Sequence, residues 1–165
     1  MVAMDHLYTP WRKQYIEGHN PRPVCVFCFE PQLEDGPQNL LVHRGQAVYA
    51  ILNRFPYTSG HLMIVPFAHL ESLENLESAT QVELVQLISH SVRVLRKVYK
   101  PDGFNIGANI GSAAGAGIAG HLHIHIVPRW GGDTNFMSSL GDTRVLPETL
   151  EETFQRLKDA WQDGV

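Results

Sequence analysis

The chain has 165 residues, 44% of them apolar and 18% charged, and this composition is typical of one folded domain with a hydrophobic core. It excludes a disordered chain and a coiled coil, and no apolar run approaches the roughly 18 residues that a membrane span needs. The net charge of −4 argues against general nucleic-acid binding, although backbone amides could still hold a small anion. The first residues lack an apolar signal core, so we expect a cytoplasmic protein.

The first half of the chain is predicted to hold a short helix followed by three strands. The helix falls within residues 1–20, and a loop rich in Pro, Gly, Asp and Gln covers 29–39. The strands follow at Leu40–His43, Ala47–Leu52 and His61–Val65, and the short connection between the first two predicts a hairpin. Several of these runs are continuously apolar, so at least one face of the sheet should be covered.

A long helix at Ser78–Lys100 is the clearest element of the second half. Ser78 together with Gln81 predicts a capping box at its start. Five apolar residues recur at helical spacing and should pack on the sheet. They are Val85, Ile88, Val92, Leu95 and Tyr99.

The remaining elements are two strands and a C-terminal helix. The strands, Phe104–Asn109 and His121–Val127, flank a loop of small residues at Gly111–Gly120, and Pro128 should end the second strand. The helix is expected near 148–162. Strands, one long packing helix and strands again predict an α+β fold with a mainly antiparallel sheet, formed by the whole chain as a single domain.

Three histidines, His121, His123 and His125, alternate with apolar residues. Successive side chains of a strand point to opposite faces, so the three imidazoles should share one face. One interpretation is an exposed strand that merely carries histidines, and another is a metal site. At about 3.3 Å per residue the outer two lie roughly 13 Å apart, which is too far for one ion, although His121 and His123 could share one. The three residues should therefore have different roles.

A third interpretation makes His123 a nucleophile that attacks phosphorus. Neutral imidazole attacks phosphorus well and leaves easily, so it divides a displacement into two steps through a covalent intermediate. The attacking nitrogen must be free, and an acceptor such as a backbone carbonyl should hold the proton of the other nitrogen. The preceding loop at Gly111–Gly120 is either a flexible turn or a phosphate cradle, because small residues let backbone amides approach a ligand closely.

The two cysteines, Cys25 and Cys28, are spaced as Cys-x-x-Cys. A structural disulfide is not expected in a cytosolic chain of this size, so metal binding or redox chemistry explains the pair better. A structural zinc site needs four ligands, and the sequence contains no second Cys-x-x-Cys. The context of a thioredoxin-like motif is missing, and two reduced, partly buried cysteines are the remaining alternative.

These motifs together resemble the histidine-triad (HIT) superfamily. Its signature, His-φ-His-φ-His-φ-φ with φ apolar, is matched by His121–Val127, and residues 53–69 resemble its Asn-Arg-x-Pro-x-x-x-Gly-His segment with the strand and histidine that follow. The resemblance covers roughly residues 23–130 as the HIT core, with 1–22 as an N-terminal extension and 131–165 as a C-terminal segment.

Within the superfamily the chain is similar to the bacterial diadenosine tetraphosphate phosphorylase, or ATP adenylyltransferase, branch. The similarity lies in the loop at 115–120, in 127–130 and in 9–12. It implies a homodimer of α+β subunits that binds purine nucleotides and needs no organic cofactor. Inorganic phosphate or water would accept the nucleotidyl group.

The resemblance also implies roles for single residues. His123 matches the family nucleophile, which takes up AMP through its α-phosphate, and His125 matches the histidine that contacts the phosphate and helps the leaving group. Many relatives carry Gln-Ser where this chain has Gly117 and Ile118, so help at the phosphate must come from the backbone or another residue. The residues expected to bind the nucleotide are Asn53, His61, Asn109, Gly117 and Ile118.

A structural zinc ion is implied in the same way. Some bacterial members complete a Cys-x-x-Cys pair with one histidine after the second strand and another at the start of the triad. In this chain the resulting ligand set is Cys25, Cys28, His69 and His121. Such a site would connect the N-terminal segment to the histidine strand.

The function expected from these motifs is a nucleotidyl transferase or hydrolase that acts on the α-phosphate of adenine dinucleotides, such as diadenosine polyphosphates, through nucleotidyl-His123. The alternatives are a nucleotide-binding regulatory protein with slow hydrolysis, a nucleoside phosphoramidate hydrolase, and a zinc hydrolase with its metal at the triad. Adenosine phosphosulfate presents the same α-phosphate as the dinucleotides and the phosphoramidates.

Overall fold

The structure is a computed structural model that describes residues 25–133 and 147–162. In chain order, its elements are α1 (Val26–Phe29), β1 (Leu41–Arg44), β2 (Val48–Leu52), β3 (Leu62–Pro66), α2 (Ser78–Tyr99), β4 (Gly103–Gly107), β5 (Ile124–Arg129) and α3 (Leu150–Gln162). The helix expected within residues 1–20 lies outside the described residues. The domain boundaries at 22 and 130 stay a prediction.

The five strands form one antiparallel sheet in the order β1-β2-β3-β5-β4. Every residue of β2 and β3 is buried. Helix α2 packs against β2, β3 and β5, and α3 packs against α2 and β1. This arrangement confirms the α+β fold class and the predicted hairpin between β1 and β2. In the described part of the chain, no helix is long and apolar enough to cross a membrane.

Helix α2 begins at Ser78 as predicted and ends at Tyr99, one residue before the predicted end, but its start lacks the expected capping box. Glu77 is the N-cap residue and makes no side-chain cap. The side-chain amide of Gln81 instead donates to the backbone carbonyls of Leu73 and Leu76 in the preceding turn. A reciprocal cap forms instead at α3, where the Thr149 amide donates to the Glu152 carboxylate and the Glu152 amide donates to the Thr149 hydroxyl.

The face that α2 buries is displaced from the predicted one. Ile88, Val92, Leu95 and Tyr99 pack against the core as expected, whereas Val85 is 59% exposed. The buried positions are Leu84, Leu87, Ser91, Val94 and Leu95. The sequence pattern conceals this stripe because it contains the polar Ser91, whose hydroxyl donates to the Leu87 carbonyl at 2.8 Å and is thereby satisfied inside the core.

The predicted strand His121–Val127 is shifted in the structure, where β5 begins at Ile124 and continues through Pro128. Antiparallel register places Pro66 opposite Leu122, and because Pro66 has no N–H, the ladder between β3 and β5 stops before that pair. Pro128 is tolerated because its carbonyl accepts from the Thr58 hydroxyl at 2.9 Å, so its nitrogen also points away from β4. The first two histidines therefore lie outside the regular sheet.

Candidate active site and metal site

A cavity forms where the register of three strands brings side chains to one face of the sheet. Ile51, Met63 and His125 lie side by side on β2, β3 and β5, and all three line it. The cavity is completed by the loop before β5 and by α1. Of the predicted site residues, it is lined by Asn53, Asn109, Gly117, Ile118, His123 and His125.

His123 presents one defined ring nitrogen to the cavity. Its Nδ1 lies 2.8 Å from the backbone carbonyl of His121, and because a carbonyl only accepts, Nδ1 carries the proton. The Nε2 atom of the neutral ring therefore has a lone pair for a ligand. Burial lowers the pKa of His123, an effect that the bond to the His121 carbonyl partly opposes. The nucleophile hypothesis requires this tautomer.

His125 presents the opposite tautomer, because His61 determines which of its nitrogens is protonated. The backbone N–H of Tyr57 donates to Nδ1 of His61 at 3.1 Å, so Nε2 of a neutral His61 carries the proton. That Nε2–H faces Nδ1 of His125 at 2.9 Å, and Nδ1 of His125 must accept. The ring nitrogen left with a proton is Nε2 of His125. The site thus places an imidazole lone pair beside an imidazole N–H donor.

His61 occupies a different place from the other predicted nucleotide-binding residues. It is fully buried, it does not line the cavity, and the ring of Tyr57 packs on it with centroids 4.7 Å apart. The sequence places His61 at a strand end, but its burial behind His125 depends on how β3 pairs with β5. In this structure His61 positions His125, and direct nucleotide contact by His61 stays an untested prediction.

Asn53 and the glycine-rich loop form the polar border of the cavity. The Asn53 side-chain oxygen accepts from the Phe55 amide at 2.9 Å, which closes a short turn at the end of β2. In the loop, Gly111 and Gly115 both have φ of +80°, and neither has an atom within 4 Å of where a Cβ would stand. Glycine suits positions 111 and 115 because the left-handed backbone there disfavours other residues. The loop then continues into Gly117 and Ile118, which line the cavity.

The four predicted metal ligands converge in a separate cluster. Nδ1 of His121 lies 3.4 Å from Sγ of Cys25 and 3.6 Å from Sγ of Cys28, and Nδ1 of His69 lies 3.3 Å from Sγ of Cys28. All four ligand atoms lie within 4.8 Å of one another. Two thiols and two imidazoles at this spacing form a possible metal site and suit a tetrahedral zinc ion.

His121 is oriented for this cluster by a backbone contact. Its Nε2 lies 2.9 Å from the carbonyl of Pro66, so Nε2 carries the proton and Nδ1 directs its lone pair at the thiols. Metal-binding histidines commonly have such an outer hydrogen bond. The ring of Phe27 separates the cluster from the active site, with its centroid 5.5 Å from the His121 ring and 4.8 Å from the His123 ring.

Sequence reasoning missed the wall of the cavity that α1 supplies. Val26, Phe27 and Glu30 all line the cavity. No role was predicted for the first two, and Glu30 lies in the 29–39 segment that was expected to form only a loop. A signal was present in the sequence, because these residues directly follow Cys25, and a metal site there would bring them to the histidines.

The chain belongs to the HIT family, since the HIT domain family model matches residues 37–132. It is 40% identical over an alignment of 166 residues to AP-4-A phosphorylase from Mycobacterium tuberculosis, covering 96% of this chain and 85% of that protein. It is also 32% identical over 114 residues to an uncharacterized HIT-like protein from Saccharolobus solfataricus, covering 69% of this chain and 80% of that protein.

Solved structures have the same fold. A zinc-bound histidine triad family protein from Mycobacterium smegmatis superposes with a TM-score of 0.67 at 27% identity, covering 86% of this chain and 95% of that chain. The diadenosine triphosphate hydrolase of Plasmodium falciparum superposes with a TM-score of 0.64 at 18% identity, covering 79% and 80%, and this second likeness concerns the fold alone.

Proposed function

We propose that this protein transfers a nucleotidyl group from an adenine dinucleotide, such as diadenosine tetraphosphate, through His123 to inorganic phosphate or water. The observation that carries the proposal is the pair of opposite tautomers in one cavity, with a lone pair on His123 and an N–H on His125. The similarity to AP-4-A phosphorylase, at 40% identity over 96% of this chain, supports the substrate class.

In the first step, Nε2 of His123 attacks the α-phosphorus of the dinucleotide. The N–P bond forms as the bond from phosphorus to the bridging oxygen breaks, and Nε2–H of His125 donates a hydrogen bond that stabilises the negative charge left on that oxygen. The His121 carbonyl keeps its hydrogen bond to Nδ1–H of His123 and stabilises the positive charge that develops on the ring. With diadenosine tetraphosphate, the nucleotide released is ATP.

In the second step, an acceptor oxygen attacks the same phosphorus and the N–P bond breaks. Nε2–H of His125 again donates a hydrogen bond at the reacting phosphate, any proton that the acceptor loses goes to solvent, and His123 keeps its Nδ1–H and returns to its neutral form. Inorganic phosphate yields ADP and water yields AMP. Asn109 and the backbone at Gly117 and Ile118 are the proposed phosphate contacts, and Asn53 is the proposed ribose contact, since all four line the cavity.

We further propose that Cys25, Cys28, His69 and His121 hold a structural zinc ion. The ion would supply a cross-link between α1 and the segment that precedes β5. The four ligands come from segments that place Phe27 against His123 and that hold the backbone carbonyl of His121. The tautomer of His123 depends on that carbonyl.

We also propose that the protein acts as a homodimer in the cytoplasm, without a nucleic-acid partner. The edge strand β4 supports dimer formation, because its Ile106 is 47% exposed. The net charge of −4 argues against nucleic acid. Analytical ultracentrifugation at micromolar concentration should give twice the chain mass, and a monomer mass would contradict the dimer.

The test of the enzyme proposal is turnover of diadenosine tetraphosphate with and without inorganic phosphate. We expect ADP plus ATP by phosphorolysis and AMP plus ATP by hydrolysis. Without acceptor phosphate, rapid alkaline quenching of wild type, which preserves an acid-labile N–P bond, should trap radiolabelled AMP on the protein, and His123→Asn should trap none. Tight nucleotide binding with negligible turnover would favour the regulatory alternative, and full turnover by His123→Asn would exclude the mechanism.

A further inference from the structure

A buried carboxylate lines the cavity in a position that the mechanism does not use. Glu30 follows α1 directly and is only 5% exposed. It shares the cavity with apolar side chains, including Val26, Leu40 and Leu52. An acidic group among apolar residues is costly unless it has a partner, so its contacts indicate what it does.

The two carboxylate oxygens of Glu30 have different surroundings. Oε1 lies 3.7 Å from a guanidinium nitrogen of Arg54. Oε2 is buried, and no group in the described residues hydrogen-bonds to it. Because buried polar atoms in folded proteins are nearly always paired, Oε2 is suited to accept a hydrogen bond from a ligand in the cavity.

The backbone of Glu30 is held in place by two hydrogen bonds to its carbonyl. The side-chain amide of Asn39 donates to the Glu30 carbonyl at 3.2 Å, and the Leu33 amide donates to the same carbonyl at 3.2 Å. Asn39 is fully buried, and its oxygen accepts from the amides of Gly36 and Leu41. Asn39 therefore supports Glu30 and has no oxygen to spare for a base.

The chemistry of the cavity indicates which part of a nucleotide meets Glu30. With the α-phosphate at His123, the apolar surface of Val26, Leu40 and Leu52 is suited to the flat face of a base. A carboxylate only accepts hydrogen bonds, so it selects bases by their donors. Adenine offers the donor N6–H2 where hypoxanthine and guanine have a carbonyl. Hypoxanthine and guanine also carry an N1–H donor, but with the base held in the same place their C6 carbonyl, an acceptor, occupies the position of the 6-amino group.

We propose that Oε2 of Glu30 accepts a hydrogen bond from the 6-amino group of adenine and makes Glu30 the base-selecting residue of this site. The inference rests on the proposed function, because the phosphate at His123 determines where the base lies. A base with a carbonyl at this position would leave Oε2 unpaired and place two acceptors against each other.

The test compares equilibrium binding of AMP, IMP and GMP to wild type, Glu30→Gln, Glu30→Met and the control Glu34→Gln, whose side chain is exposed. Wild type and the control should bind AMP at least about tenfold more tightly than IMP, the effect of one charge-assisted hydrogen bond. In Glu30→Gln the ratio should approach one, because an amide both donates and accepts. In Glu30→Met it should also approach one, with the methionine side chain filling the space.

The results also separate this inference from the proposed function. IMP or GMP binding to wild type as tightly as AMP would overturn the assignment, whether or not the variants fold. An unchanged AMP-to-IMP ratio in folded Glu30→Gln and Glu30→Met, with melting temperatures near wild type, would overturn it as well. Selective AMP binding without turnover of any dinucleotide would instead remove the enzyme proposal and leave the role of Glu30 intact.

Discussion

Two regions of this molecule use histidine in different ways, one in a candidate metal site and one in the cavity. Three of these histidines, drawn from both regions, lie within five residues of chain, from His121 to His125. The candidate metal cluster, formed by Cys25, Cys28, His69 and His121, contains the first histidine of the run, whereas the histidine pair, His123 and His125, faces the cavity. His121 gives its Nε2–H to a backbone carbonyl and directs Nδ1 at thiols, whereas His123 gives its Nδ1–H to a carbonyl and directs Nε2 into the cavity.

The difference shows that the role of each histidine is set by which ring nitrogen a fixed hydrogen-bond partner, an acceptor for His121 and His123 and a donor for His125, engages. His121 belongs to both regions, because its side chain enters the cluster while its carbonyl orients His123. Side-chain substitutions should therefore change metal binding and activity independently of each other. The backbone of His121 is the structural connection between the two regions. The following predictions test that separation, from the largest expected effect to the smallest.

The largest effect is expected for His123→Asn. Removal of the nucleophile should lower kcat by at least about 10⁴-fold, because the two-step route is lost. Metal content and melting temperature should stay near wild type, since His123 is not a ligand of the cluster. His43→Asn, which removes a histidine that stacks on Trp161 outside the cavity, is the control and should keep its activity. Loss of bound metal in His123→Asn would contradict the separation.

The second prediction concerns the metal cluster. When free zinc is a thousand times its dissociation constant, the bound ion should add about 4 kcal/mol to the free energy of unfolding of wild type. Cys28→Ser, or removal of the ion by a strong chelator, should abolish this gain. Chemical denaturation with and without added zinc measures this, and atomic emission gives the metal content. The site would be refuted if wild type produced with zinc in the medium were purified free of metal. It would also be refuted if Cys28→Ser were as stable as wild type.

The third prediction concerns His61, which acts through His125. His61→Leu removes the donor to Nδ1 of His125 and should lower kcat by about 10- to 100-fold with little change in KM, the size of effect seen when an orienting partner is removed. His61→Gln places an amide N–H near the same point and should recover part of kcat. Equal losses in both variants, or a loss confined to KM, would argue for direct nucleotide contact.

The smallest effect is expected at a site remote from both regions. The Glu83 carboxylate accepts from the backbone amides of Gln46 and Ala47 at 2.6 and 2.9 Å, and it thereby closes the hairpin between β1 and β2. Glu83→Ala should lower the free energy of unfolding by about 1–2 kcal/mol, because one exposed and one half-buried backbone donor lose a charged acceptor. Its kcat and metal content should not change. That result would show that a loss of stability alone causes neither the loss of kcat expected for His123→Asn nor the loss of metal expected for Cys28→Ser.

The fold and much of the candidate site were predictable because they depend on local pattern. The run from His121 to His125 and the Cys25–Cys28 pair are visible as spacing, and helix α2 is visible as periodicity. The face of α2 was partly mispredicted, because Ser91 is buried with an internal hydrogen bond and Val85 is exposed. Burial of a polar residue depends on a partner that periodicity does not reveal.

The sequence by itself determined the family, the α+β fold and the small set of residues able to carry the chemistry, since residue type and spacing act locally along the chain. Only the tertiary structure decided which nitrogen of each histidine is available, because the deciding acceptors and donors, the carbonyls of Pro66 and His121 and the amide of Tyr57, belong to the folded backbone. It also decided that Glu30 enters the cavity, because α1 must first be packed beside the histidines.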